Sequence, residues 1–241
     1  MNEAAANDVH EHEPLPPTIA WHGGVDGRLE LLDQTRLPDA VVVLRMHDVG
    51  SVIDAIVRLA VRGAPAIGVA AAYGLVLGVR ELAPSPEQFV RVAHGVAARL
   101  ANARPTAVNL QQALDRCLSA IAAEPTLSRL LAAAATVHAD EAAMSARIGE
   151  HGRAFVRDGA TVLTHCNAGR LATVGDGTAL AVLFAAWRHG TRFRVLADET
   201  RPLWQGARLT ALELSRAGIP VELLVDGAGP GLMARGEVQL V

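Results

Sequence analysis

Between Ala160 and Leu180 the chain reads ATVLTHCNAGRLATVGDGTAL, and no other stretch constrains the fold as tightly. Thr161 to Thr164 have the β-branched and apolar character of a buried strand, and they lead straight into a polar loop carrying Gly169, Gly175 and Gly177. After Thr178 the spacing of apolar residues turns helical. Strand, glycine-bearing loop and helix start, in that order, gather unpaired backbone N–H groups and the positive end of a helix dipole at one point, which suits a phosphate. Cys166 is the first residue past the strand, so one of only two thiols in the chain stands at the rim of that point.

The same grammar repeats downstream. Strand Thr161 to His165 precedes a helix from Thr178 to His189, and strand Phe193 to Ala197 precedes a helix from about Ala207 to Ala217. Pro220 to Val225 forms a third strand. Apolar strands separated by helices of ten or more residues predict a parallel sheet with right-handed crossovers. Three loops then leave the carboxyl edge of that sheet, Cys166 to Gly177, Asp198 to Gln205 and Asp226 to Pro230, and open parallel sheets bind ligands at that edge.

Upstream the pattern differs. Residues 1–17 are acidic, polar and end in prolines, the composition of a mobile tail, and His10 and His12 within it are read as solvated rather than chelating. Thr18 to Trp21, Arg28 to Leu32 and Val41 to Leu44 read as short antiparallel strands. From Val49 to Glu150 the period is helical, with Pro65 opening a helix to Leu82, Pro86 another, Val108 to Ile121 a further one, and an alanine-rich helix from about Leu127 to Gly152. Cys117 falls on the apolar stripe of the Val108 helix, where a thiol serves as a small buried hydrophobe. The predicted organisation is therefore a tail (1–17), a small, mainly helical N-terminal domain (18–150) and a Rossmann-like βαβαβ domain (151–241), an α/β chain.

Composition narrows the function classes. A net charge of -3 without a run of basic residues gives no footprint for nucleic acid, and aromatics make up only 3% of the chain, too few for base-stacking platforms. The most apolar segment, Ala64 to Val79, is short for a membrane span and rich in Ala and Gly, so a buried helix is expected and no membrane association. Two cysteines of different character and no signal-like start point to a reducing, cytoplasmic setting.

Candidate ligand-binding groups cluster in the second loop, ADETRPLWQGARLT, where Asp198, Glu199, Arg201, Gln205 and Arg208 crowd around a proline; helix capping and local ion pairs are the alternative use of these residues. Arg62-Gly63-Ala64-Pro65 offers a guanidinium beside free N–H groups at a helix start, and Arg104 precedes a proline at another. His165 adjoins Cys166, but neighbours on a strand face opposite ways, so it is read as structural. Neither glycine cluster completes a dinucleotide fingerprint or carries a Walker lysine, and metal ligands at usable spacing are lacking outside the tail, so no cofactor and no metal is expected.

Together the motifs RGAPAIGVAAAYG (Arg62 to Gly74), RPTAVNL (Arg104 to Leu110), GEHG (Gly149 to Gly152), THCNAG with LATVG, and DETRPLWQGARLT (Asp198 to Thr210) resemble, in the same order, the methylthioribose-1-phosphate isomerases; GRLELLDQTRLP (Gly27 to Pro38) looks like that family's opening. The resemblance implies an aldose–ketose isomerase of methionine salvage, converting 5-methylthioribose 1-phosphate to 5-methylthioribulose 1-phosphate without metal or nucleotide, and typically homodimeric. It makes Cys166 the active-site cysteine, Arg62, Gly63 and Ala64 a substrate-binding turn, and Arg104 and Gln205 further substrate contacts.

Two departures qualify what the resemblance implies. The family's catalytic aspartate lies in a segment beyond GEVQLV, so the sheet is expected to be cut short and activity impaired; Asp226 is a different position and is not promoted to that role. Asp176 and Arg170 introduce a charge pair where relatives carry an aromatic and a small residue. Two alternatives stay open: an isomerase of ribose 1,5-bisphosphate, and a non-catalytic binding protein resembling the regulatory subunits of the translation-initiation exchange factor.

Overall fold

A computed structural model describes residues 14–82 and 85–241. His10 and His12 lie outside the described residues. The chain is already packed at Leu15, which is buried with Leu32, Leu37, Leu171 and Leu209, so the segment before Thr18 is engaged earlier than its composition suggested.

The N-terminal half opens with an antiparallel meander: β1 (Ile19–His22), β2 (Arg28–Leu32) and β3 (Val43–Met46), with Ala20 opposite Glu30 and Leu31 opposite Leu44. Five helices follow: α1 (Val49–Val57), α2 (Ala64–Leu82), α3 (Pro86–Ala101), α4 (Val108–Ala120) and α5 (Leu127–Gly152). Every residue of α2 from Ala66 to Val79 is buried, as an apolar surface on all sides requires. Small residues let its neighbours close in: Gly68 lies against Asn109 of α4, and Gly78 against Val96 of α3 and Val49 of α1. Trp21 of β1 stacks on Tyr73 of α2 with centroids 5.3 Å apart.

Helix α5, capped by the Thr126 hydroxyl, joins the two halves. It packs on α2 and α4 and then on α6 (Ala179–Arg188), where Gly149 meets Ala181 and Gly152 meets Val182. The second half is a parallel sheet in the order β4 (Thr161–Thr164), β5 (Arg194–Asp198), β6 (Val221–Leu224), with Leu163 beside Leu196 and Leu196 beside Glu222. Leu240 adds a parallel bridge to Val162 on the other edge of β4. Val162, Leu183, Phe184, Phe193, Val195 and Leu214 form its core.

Two predicted elements differ. The helix expected from Ala207 begins instead as a π-turn over Gly206–Thr210 and becomes α7 only at Ala211–Arg216. The loop expected from Asp226 to Pro230 closes early into α8 (Gly229–Ala234), for which Pro230 supplies a preset first turn.

Candidate active site

Cys166 leaves β4 in the left-handed backbone region, φ 61°, a conformation that costs a non-glycine residue about 1–2 kcal/mol and is kept where the surroundings hold it. Here two hydroxyls hold it. The Cys166 N–H donates to Thr200 Oγ1 at 2.8 Å, and Thr210 Oγ1 donates to the Cys166 carbonyl at 2.6 Å. Both threonines belong to the second loop and its π-turn, so the thiol's position is set by the segment after β5 as well as by its own strand.

Arg62 reaches this loop from the N-terminal half. Its guanidinium donates to the Asn167 carbonyl at 3.3 Å and to Asn167 Oδ1, while Nε donates to Gln34 Oε1 at 3.1 Å. Burial pulls the guanidinium below its ordinary pKa, and the neighbouring Cys166 and Glu213 act in the opposite sense. The turn after Arg62 is fixed by contact: Gly63 has φ 90°, and a Cβ there would lie 2.5 Å from the Ala172 Cα and closer still to its carbonyl oxygen. Thr18 Oγ1 and Gln34 Nε2 donate to the carbonyls of Arg170 and Leu171 at 2.9 and 2.7 Å, tying the same loop to the N-terminal half.

Arg62 and Gln205 line one cavity of about 240 Å³, together with Gln34, Thr35, Arg58 and Arg208. Cys166 is not among its lining residues; it joins the site through its neighbour Asn167 and through Arg62. Ala64 opens α2 beside Gly63. Arg104 sits in the turn before α4, and its guanidinium makes no hydrogen bond or ion pair among the described residues, so nothing there ties it to Cys166.

Other residues of the second loop are already engaged. Arg208 donates from Nε and Nη2 to the Leu37 carbonyl, from Nη2 to that of Gln34 and from Nη1 to that of Leu203, which makes it a brace between halves rather than an unengaged phosphate donor. Arg201 lies over the Trp204 ring. The start of α6 is also occupied: the N–H groups of Thr178 and Leu180 both donate to the Ala168 carbonyl, so part of the expected anion cradle is closed by its own loop. Arg170 and Asp176 do pair, at 3.8 Å, and Arg188 joins Asp176 at 2.7 Å. Cys117 is buried on α4, and burial pushes its thiol up to about 12.

His165 follows β4, Asp198 ends β5 and Asp226 follows β6, yet their ligand atoms lie within 4.8 Å of one another, a grouping that spacing along the chain does not reveal. His165 Nδ1 is 3.0 Å from Asp198 Oδ2, while Asp226 accepts the N–H groups of Thr200 and Arg201 at 2.7 and 2.8 Å. The Asp226 carboxylate thereby holds the start of the second loop, whereas Asp198 keeps Oδ1 buried without a hydrogen-bond partner. Asn167, Thr200, Thr210, Glu213 and Gln34 are the site residues that the sequence pattern did not mark. Asn167, Gln34, Thr200 and Thr210 lie within the family-like motifs without being singled out there, and only Glu213 falls outside all of them.

This is a parallel α/β sheet with a helical N-terminal half whose glycine turn plugs into the first sheet loop. Residues 60–241 match the Initiation factor 2 subunit family, and the chain belongs to it. It is 50% identical over 235 residues to a methylthioribose-1-phosphate isomerase of Gemmatimonas aurantiaca, covering 95% of this chain and 68% of that one. It is 48% identical over 237 residues to a 5-deoxyribose 1-phosphate isomerase of Moorella thermoacetica, covering 95% and 66%. Among solved structures it is similar to 5-methylthioribose 1-phosphate isomerase from Pyrococcus horikoshii (35% identity, TM-score 0.82, 95% and 66% covered). It is likewise similar to translation initiation factor eIF-2B subunit delta from A. fulgidus (40%, 0.81, 93% and 66%). The chain spans about two thirds of the length of the relatives it matches. The resemblance read from its motifs thus extends over nearly all of it.

Proposed function

We propose that the chain is an isomerase of 5-methylthioribose 1-phosphate, working in methionine salvage in the cytoplasm. The observation that carries this reading is the meeting of Arg62 with the Cys166–Asn167 loop, in a chain about half identical to proteins named for that reaction. Arg62 and Gln205 would receive the anionic sugar in their shared cavity, and Cys166, outside that lining, would act on it from the loop that Arg62 grips through Asn167.

The chemistry sets what such a site must supply. Opening the ring breaks the O4–C1 bond and delivers a proton to O4, because the anomeric phosphate blocks spontaneous opening. One hydrogen then passes from C2 to C1 and the O2 proton leaves, giving the ketone with no external oxidant. A thiol can give or hold a proton in this sequence, and a partly dry setting favours transfer of the C2 hydrogen. The test is incubation of the purified chain with 5-methylthioribose 1-phosphate, followed by phosphorus NMR. Binding of the aldose phosphate with slow appearance of the ketose phosphate supports the reading, and an aldose phosphate neither bound nor converted refutes it.

A second reading is favoured by the 40% identity to a structure titled as a translation-initiation-factor subunit. In that case the chain binds a protein partner and leaves the sugar phosphate unbound.

A further inference from the structure

Glu213 lies on α7, and the established motifs give it no role. It is 6% exposed, yet its carboxylate is saturated with donors. Oε1 accepts Asn167 Nδ2 at 2.7 Å and Oε2 accepts the Arg170 N–H at 2.6 Å, with the Leu171 N–H beside them. Asn167 turns its other side to Arg62, giving its Oδ1 and its carbonyl to the guanidinium. Gly169 makes the approach possible, because a Cβ there would lie 2.5 Å from the Glu213 carboxylate. An unbroken path therefore runs from α7 through Asn167 to the arginine on the ligand cavity.

We propose that Glu213 is a positioning residue that orients the Arg62 guanidinium through Asn167 and so controls the grip on an anionic sugar. This rests on the isomerase reading only for the identity of that sugar. The amide of Asn167 can face Arg62 with oxygen only while its nitrogen has an acceptor behind it, and Glu213 is that acceptor together with Thr210 Oγ1 at 3.1 Å. Burial raises the Glu213 carboxyl to about 7, the hydrogen bonds from Asn167 and Arg170, the nearby Leu171 N–H and the charge of Arg62 opposing it. On taking up a proton the carboxyl must present an O–H among three donors, which loosens Asn167 and frees Arg62 to turn. The other charged groups around it are Arg170 and Asp176 of the β4 loop, Arg188 of α6 and Arg216 of α7; Cys166 and Arg208 act on it through Arg62.

The experiment follows the Arg62 Nε–Hε resonance by NMR, assigned by its loss in Arg62→Lys, across pH 5.5 to 8.5, alongside calorimetric titration with 5-methylthioribose 1-phosphate. The expected result is a resonance that moves with a midpoint near 7 in the parent chain and loses that transition in Glu213→Gln. Sugar-phosphate affinity at pH 8 should fall about tenfold in that variant, the scale of one charged hydrogen bond. Asn167→Ser breaks the path in the middle and should give the same two losses, which guards against a Glu213→Gln chain that fails to fold. A parent resonance with no transition between 5.5 and 8.5, or one kept in a folded Glu213→Gln, overturns the proposal. A transition without any sugar binding refutes the substrate reading and leaves the positioning role standing.

Discussion

Replacing Gly63 by Ala separates two penalties that usually arrive together. The residue has φ 90°, where an L side chain costs about 1 kcal/mol or more, and its Cβ would be 2.5 Å from the Ala172 Cα, against the 3.4 Å or more of an ordinary contact. The Ala172 backbone cannot swing aside as a flexible side chain can, so the Arg62 turn and the β4 loop must part. Overpacking of that kind costs about 1–3 kcal/mol, for a total of about 3 kcal/mol. Gly159 supplies the control: its φ is 76° but nothing lies within 4 Å of an added Cβ, so Gly159→Ala carries the backbone penalty alone. For a chain of this size each kcal/mol lowers the melting temperature by about 2–4 °C, so Gly63→Ala should melt about 6–12 °C lower than the parent and Gly159→Ala about 2–4 °C lower. Circular dichroism melts of the three proteins decide it. A Gly63→Ala protein no less stable than Gly159→Ala refutes the claim that this turn is wedged against the β4 loop.

Cys166→Ser should abolish isomerisation by a factor of 100 or more while shifting the melting temperature by no more than about 2 °C, since its backbone bonds to Thr200 and Thr210 stay. Turnover and a melt on the same preparation check both halves. Arg208→Ala strips the Gln34, Leu37 and Leu203 carbonyls of a shared donor and should cost about 2–4 kcal/mol in urea unfolding, with Arg208→Lys recovering only part of it. Asp33 is buried, which alone would raise its carboxyl, but hydrogen bonds from Thr35 and Arg58 outweigh burial and hold it below the usual carboxylate range. Its contribution is therefore present above about pH 4 and is lost as pH falls through its folded value, so the gap in urea midpoint between the parent and Asp33→Asn should be clear at pH 7 and shrink by pH 3. An equal gap at both pH values contradicts it.

Much of the scaffold was legible in the chain because its signals are local. The all-apolar run of α2, the alternation of β2 and the strand-to-helix rhythm after Gly159 each need only a few neighbouring residues to declare themselves, and α5 falls on Leu127–Gly152 as its pattern indicates. The site was legible only where a motif pointed at it. Glu213, in ALELSR, looks like any helix-surface glutamate until the fold lays it under Gly169. The arginines of the second loop read as equivalent until tertiary contacts send Arg208 to the Leu37 carbonyl and leave Arg201 over a tryptophan. His165, Asp198 and Asp226 are far apart along the chain and adjacent only because parallel strands end together.

The π-turn at Gly206–Thr210 carries one residue more per turn than an α-helix would, with the Ala211 N–H reaching back to the Gly206 carbonyl. That surplus sets the phase between Gln205 and everything after it. Removing a single residue there would let the segment relax to ordinary helix and would turn Gln205 about 100° around the axis relative to Glu213. The length of this stretch is therefore fixed to the residue, and a deletion there would cost more than the loss of any one side chain in it.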